Sequence, residues 1–379
     1  MNSENSLLDE YYACIAEQLS ISDTMREKAE RAYGSVGEWL DKDPNHPTHI
    51  YTQGSFALGT VTRPLSGDDD DYDIDLVCEL PDMSLLEPRV IKHTVGNRLK
   101  SHGLYSQKLE PEGKRCWTLV FDEFHMDILP CTPNSIWSQD TSITLTNKEP
   151  NGSYTSKTSN PKAYQTWFEN RMGERLFDAR KKRYDANRIA YSSVDKVPTF
   201  SVQTPLQMAI QILKHHRDIM FEGSDNAPIS IIITTLAALS YQQTEGVFET
   251  VRSVLKDMTS HVQGSYGDYW IPNPVDSMEN FADRWNENPA KAKAFFDWIE
   301  AAQRDLVDKP LGITGIHRIA DVLSGPLNKS VIGRATTSFG NSLTERRQTG
   351  SLYVTASSGI GITGARQATT VRDHSFFGA

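Results

Sequence analysis

Cysteine is scarce in this sequence: Cys14, Cys78, Cys116 and Cys131 are scattered along the chain and no C-x-x-C pair occurs. That excludes a disulfide frame and a thiolate zinc site, and points to the reduced thiols of a cytoplasmic protein. Long apolar runs are missing too. The most apolar stretch, ISIIITTLAAL at Ile229–Leu239, has about half the length needed to cross a bilayer. The N-terminal MNSENSLLDEYY lacks the basic-then-apolar layout of a signal peptide. Positive charge is also in deficit, with 39 Lys and Arg against 49 Asp and Glu, a formal net charge of −10 and a pI of about 5.5. Such a balance disfavours a protein that neutralises a long phosphate backbone, so no nucleic-acid activator and no membrane partner are expected. Small phosphorylated ligands stay open.

What is present is an ordinary globular composition, with 379 residues, 38% hydrophobic and 23% charged, enough to bury a core in one or two lobes. Met25, Ala29, Ala32, Val36 and Leu40 recur at steps of three and four, so Ser22–Leu40 reads as an amphipathic helix begun by Ser22. From His49 to Pro133 the pattern changes to β-prone runs, HIYTQ, YDIDLVCEL, CWTLVF and HMDILPC, with a helical segment at Val90–Leu99. That is a mixed α/β lobe on a small sheet. Ile136–Pro161 is rich in Ser, Thr, Asn and Gly and reads as a loop or boundary.

Beyond it the periodicity is mainly helical. TPLQMAIQILKHHRDIM begins with Thr204 as N-cap, Pro205 in the first turn and Gln207 completing a capping box. Leu206, Ala209, Ile210 and Leu213 share one face; Gln207, Gln211, Lys214 and Asp218 form a polar stripe that should point away from the packing. After Pro326, the Gly, Ser and Thr of SSGIGITGARQATT predict a flexible tail. The expected division is therefore a core with its bracing helix in 1–160, a helical lobe in 161–325 and a tail in 326–379.

Chemistry concentrates in three places. YTQGSFALGT, at Tyr51–Thr60, holds a Gly-Ser turn: Gly54 permits close backbone approach, Ser55 offers a hydroxyl and an amide, and the following FALGT can open a helix whose N-terminus favours anions. In DDDDYDIDLVCEL, the run Asp68–Asp71 reads as a solvated loop, whereas Asp73 and Asp75 flank Ile74 at strand spacing and share one face. Two neighbouring carboxylates repel unless a cation sits between them. Asp127, between Met126 and Ile128, is a charged residue in an apolar strand and needs a partner. Hard oxygen ligands of this kind suit Mg²⁺, with Mn²⁺ as an alternative. The basic stretch ARKKRYDANR at Ala179–Arg188 lies among acids and reads as a mixed-charge surface.

G-S, then D-x-D in an apolar strand, then a later lone Asp resembles the catalytic pattern of the polymerase-β-like nucleotidyltransferase superfamily. Within it, QGSFALGTVTRPL, DDYDIDLVCEL and TPLQMAIQILKHHRD together resemble the bacterial cGAS/DncV-like nucleotidyltransferases, or CD-NTases, over Ser22–Leu323. The resemblance implies an α+β fold: a polymerase-β-like core with a small mixed sheet, an N-terminal bracing helix and a C-terminal helical lobe. It implies Asp73, Asp75 and Asp127 as catalytic metal-binding acids, with Asp127 nearest the attacking hydroxyl. Gly54 and Ser55 match the triphosphate turn, Lys214 a phosphate-contacting lysine, and Ser230 a phosphate-contacting serine.

The activity implied is synthesis of a cyclic oligonucleotide messenger from nucleoside triphosphates, ATP among them, with release of pyrophosphate, in the anti-phage systems called CBASS. A product-responsive effector would be the partner, and the tail VRDHSFFGA could be a substrate for an E1/E2-like ligase, although Ala379 departs from a Gly-Gly ending. Two other readings stay open: a template-independent nucleotidyltransferase acting on RNA or protein, and a catalytically silent nucleotide-binding scaffold.

Overall fold

Short alternating runs and capped amphipathic helices set the elements of this protein, seen in a computed structural model that describes residues 3–65, 72–134, 141–173, 203–265, 267–355, 359–361 and 369–370. The run Asp68–Asp71, the basic stretch Ala179–Arg188 and the tail VRDHSFFGA lie outside the described residues. In chain order the principal elements are α1 (Ser3–Leu19), α2 (Asp23–Asp41), β1 (His49–Gln53), α3 (Gly54–Leu58), β2 (Tyr72–Glu79), α4 (Pro88–Lys100), β3 (Trp117–Val120), β4 (Phe124–Pro133), β5 (Ile143–Lys148), β6 (Tyr154–Ser159) and α5 (Pro161–Met172). There follow α6 (Pro205–Met220), α7 (Ser230–Ser240), α8 (Val247–Asp257), α9 (Pro289–Gln303) and α10 (Lys329–Gln348). The chain divides into a sheet unit, Ile21–Gln203 with Pro272–Glu279, and a helical unit, Met1–Ser20, Thr204–Ile271 and Asn280–Ala379.

In the sheet unit the strands run β1-β2-β4-β5-β6, with β3 attached to β4. β2 and β4 are parallel and every other pair is antiparallel. A parallel pair needs a crossover, and α4 lies within the one between β2 and β4. Period-two alternation sorts β2 and β4 cleanly: Tyr72, Ile74, Leu76, Phe124, Met126 and Ile128 are buried in one core with Met25, Ala29, Val36 and Leu40 of α2 and Ile91, Val95 and Leu99 of α4. Thus α2 braces the sheet as its spacing predicts, and Ser22 caps it by accepting from the Met25 amide at 3.2 Å. The opposite face carries a smaller cluster of Tyr51, Val77, Leu129, Cys131, Ile143 and Leu145.

The stretch 136–161 is not a continuous loop. Its 143–159 part forms the hairpin of β5 and β6 in register from Ile143↔Ser159 to Lys148↔Tyr154. Ile143 and Leu145 alternate with threonines and bury against the sheet, which outweighs a composition that favours turns.

The helical unit departs from the expected division at both ends. α1 belongs here, because Tyr11, Tyr12, Ile15, Ala16 and Leu19 are buried and α1 packs against α6, α8 and α10. The expected tail begins instead with the 20-residue helix α10, whose Val331, Ile332, Ala335 and Phe339 form one buried stripe. Phe339 meets Tyr11 edge to face at 5.5 Å, and the Tyr11 and Thr336 hydroxyls are 2.9 Å apart. Three short strands at Tyr353–Thr355, Gly359–Gly361 and Thr369–Thr370 pair with one another. α6 has the capping box that its sequence announces, with the Gln207 amide donating to Thr204 Oγ1 at 3.0 Å and the Thr204 amide to Gln207 Oε1 at 2.9 Å. Such a cap contributes about 1 kcal/mol. Among the described residues no helix is long and apolar enough to cross a membrane, and all four thiols are free.

His216 of α6, 3% exposed, gives the unit a pH dependence. Its Nδ1 accepts from Trp298 Nε1 at 3.1 Å, so the proton sits on Nε2, which faces Asp305 Oδ2 at 3.7 Å. Burial pushes the imidazole down to about 4 despite the Asp305 charge. Burial also works against the charge of Asp305, but hydrogen bonds from Arg304 and Lys309 more than offset it and hold the carboxyl at about 2. A base with a lowered folded pKa stabilises fully above its unfolded value of 6.5 and loses that stability as pH falls through 4. Acidification over this window should therefore remove on the order of 3 kcal/mol. The check is thermal unfolding of wild type and His216→Gln across this range: the wild-type Tm should fall more steeply, and parallel curves would contradict the account.

Candidate active site

The candidate site residues Gly54, Ser55, Asp73, Asp75 and Asp127 all lie in the sheet unit. Register makes a row of three of its strands: Gln53 of β1 is opposite Asp75 of β2, and Asp75 is opposite Asp127 of β4. Directly after Gln53 the chain turns at Gly54, with φ of +63°, into α3, which Gly59 ends in the left-handed region at φ of +67°. Gly54 is needed twice over. Its φ favours glycine, and a Cβ at this position would overlap Asp75 Oδ2. The carboxylate of Asp75 thus rests against the backbone of the Gly-Ser turn. Ser55 is half-buried in the first turn of α3, and its carbonyl accepts from the Thr60 amide at 2.9 Å.

Asp73 and Asp75 do share the face opposite the main core, but they are not alike. The Asp73 side chain is 72% exposed and lies 3.9 Å from His125 Nδ1; Asp75 and Asp127 are half-buried. The partner that Asp127 requires is Thr118 of β3, which occupies the opposite register position and donates from Oγ1 to Asp127 Oδ1 at 2.5 Å. Cys116, on the same face, lies 3.7 Å from Thr118 Oγ1. Burial, with the Asp127 charge adding to it, pushes the Cys116 thiol up to about 11. The thiol therefore stays protonated, and it hydrogen-bonds with both Thr118 and Asp127.

Among the described residues no group of three His, Cys, Asp and Glu side chains converges on a metal position. Mg²⁺ asks for less: one or two carboxylates, with water and substrate phosphates filling the remaining positions. The in-register pair Asp75 and Asp127 offers that hard-oxygen donor set, with Asp73 on the same face beside it.

Lys214 and Ser230 lie in the helical unit. The polar stripe of α6 does not point away from the packing: Gln207, Gln211 and Lys214 are 0%, 1% and 4% exposed. Gln207 is consumed by the cap and Gln211 receives the Ser20 hydroxyl at 3.2 Å, so local contacts bury a face that periodicity assigns to solvent. Ser230 begins α7, yet it makes no cap; Arg217 Nη2 donates to its hydroxyl at 3.2 Å, while Arg217 Nη1 binds the Pro228 carbonyl. Neither Thr118 nor Arg217 stands out in the sequence, because each acquires its partner only through strand register or helix packing.

Residues 7–171 match the family model described as the Second Messenger Oligonucleotide or Dinucleotide Synthetase (SMODS) domain. The chain is 28% identical over 344 residues to a c-di-GMP synthase of Roseivirga ehrenbergii, covering 87% of this chain and 88% of that protein. It is 24% identical over 383 residues to the cyclic dinucleotide synthase CdnG of Bradyrhizobium diazoefficiens, covering 93% and 88%. The solved structure of the Bradyrhizobium diazoefficiens CD-NTase CdnG in complex with GTP superposes with a TM-score of 0.67 at 20% identity, over 88% of this chain and 99% of that one.

Proposed function

We propose that this chain is a CD-NTase, a nucleotidyltransferase that makes a cyclic dinucleotide second messenger from nucleoside triphosphates, with GTP as substrate and c-di-GMP as product. The observation that carries the reading is the row of Asp75 and Asp127 against the Gly54 turn, inside the matched residues 7–171. The name of the Roseivirga ehrenbergii relative, a c-di-GMP synthase, supports the base; ATP as a second substrate rests on the family resemblance alone.

In this reaction the exposed Gly54 and the Ser55 hydroxyl and amide hold the donor triphosphate at the end of β1. Asp127 faces the acceptor 3′- or 2′-hydroxyl, with Thr118 on one side of it and Asp75 on the other. The acceptor oxygen forms a bond to the α-phosphorus as the bond to the bridging oxygen breaks in line, and pyrophosphate leaves; a second round closes the ring. Asp75 and Asp127, with Asp73 on the same face beside them, would hold Mg²⁺ or Mn²⁺, which when bound lowers the acceptor hydroxyl's pKa and neutralises charge on the departing pyrophosphate. Lys214 and Ser230 are assigned phosphate contacts through the resemblance only.

The wider role in this reading is cytoplasmic anti-phage signalling of the CBASS kind, with a separate effector that responds to the product; the resemblance to the family supports it. Conjugation of the C-terminus by an E1/E2-like ligase is the further partner that the family brings.

The test is incubation of purified protein with GTP alone and with all four ribonucleoside triphosphates, with Mg²⁺ or Mn²⁺, followed by phosphatase treatment and mass spectrometry. A phosphatase-resistant cyclic dinucleotide is expected. Linear products would replace the reading with a template-independent transferase, and nucleotide binding without any product would replace it with a silent scaffold.

A further inference from the structure

We propose that Thr118 is a positioning residue for Asp127, fixing by its hydroxyl the plane in which Asp127 presents its carboxylate to the reacting groups. The inference rests on the assignment of Asp127 to catalysis. It adds a residue that lies outside the D-x-D and Gly-Ser signatures, on the short strand β3.

Three observations carry it. Thr118 and Asp127 are register partners in the antiparallel pair of β3 and β4, with side chains on the face that also bears Asp75. The hydroxyl reaches Oδ1 at 2.5 Å, a separation typical of hydrogen bonds to an ionised carboxylate. A bond to one oxygen restricts rotation about the last side-chain torsion, which is otherwise broad for an aspartate. With Oδ1 accepting from Thr118, the plane of the Asp127 carboxylate is fixed relative to the row of strands. Asp127 is thereby held between two neighbours in one row, a donor on β3 and an acid on β2.

The strand that carries Thr118 is itself tied down. Trp117 Nε1 donates to the Lys92 carbonyl of α4 at 2.8 Å, and the Trp117 ring occupies the space that a Cβ at Gly96 would fill. The Lys92 ammonium, fully buried, donates to the Gly113 and Lys114 carbonyls at 2.6 and 2.8 Å, anchoring the segment that leads into β3. The Glu110 amide donates to the Thr118 carbonyl at 2.9 Å. A four-residue strand secured at these points holds its side chains closely, which is what a supporting residue must do.

The decisive comparison is Thr118→Val, which keeps the branched shape and deletes the donor, against Thr118→Ser, which keeps the donor. Thr118→Val is expected to lower kcat by about 10- to 100-fold, with KM for GTP and the Tm nearly unchanged. Thr118→Ser should recover most of kcat. A readout independent of turnover is Mn²⁺ binding followed by electron paramagnetic resonance in the presence of a non-hydrolysable GTP analogue, which should weaken in Thr118→Val and not in Thr118→Ser. Wild-type kcat in Thr118→Val, or equal loss in both variants, would overturn the proposal. Should Thr118→Val not fold, Thr118→Ala against Thr118→Ser asks the same question with one oxygen as the difference. Asp127→Asn separates the two levels: product formation by that variant removes the catalytic assignment itself, whereas its inactivity beside an undiminished Thr118→Val removes only the role of Thr118.

Discussion

Asp127→Asn is expected to abolish product formation while leaving the fold intact. The substitution preserves shape, and its Oδ1 can still accept from Thr118 through a longer, neutral hydrogen bond, so the register of β3 with β4 has no reason to change. What disappears is the negative charge in the row with Asp75. If that charge supplies several kcal/mol in the transition state, the rate should fall by about 10³-fold or more. Mass spectrometry of the phosphatase-treated reaction reads the loss, and an unchanged Tm shows that the protein is folded. Normal product from a folded Asp127→Asn protein would end the assignment, and with it the proposed function in its present form.

Gly54→Ala should have the second largest effect, for a reason visible only in three dimensions. Alanine at φ of +63° carries a backbone penalty of roughly 1–2 kcal/mol, which should lower Tm by a few degrees. The added Cβ would also overlap Asp75 Oδ2, so either the turn or the carboxylate must move. A displacement near 1 Å at a reacting centre costs about 10²-fold in rate. Gly152→Ala is the matched control, because Gly152 also has a positive φ, of +83°, but nothing lies within 4 Å of its Cβ position. Both variants should lose stability and only Gly54→Ala should lose activity. Equal activities would show that the contact with Asp75 carries no function.

Much of the fold around the candidate site was legible because its signals are local or periodic. Alternation in YDIDLVCE sends Ile74 and Leu76 into the core and leaves Asp73 and Asp75 on the other face, as strand geometry requires. The capping box at Thr204 and Gln207 is equally short in range. Composition misled where tertiary packing overrode it. Ser- and Thr-rich residues at 143–159 became a hairpin because Ile143 and Leu145 found the sheet, and residues after 326 became helix α10 because Phe339 and its neighbours found α1. Lys214 was expected at the solvent face and is buried.

The sequence by itself determined the chemical inventory of this protein: the acids, the Gly-Ser turn, the strand and helix periods, and the family that these motifs resemble. These are properties of residues separated by a few positions, where backbone geometry alone relates one side chain to the next. Tertiary structure decided which groups touch. Asp75 meets Gly54 only through the pairing of β1 with β2, and Asp127 comes into register with Asp75 and bonds to Thr118 only through its strand's two neighbours. Register between strands depends on how whole faces bury against the core, so no window of sequence contains it.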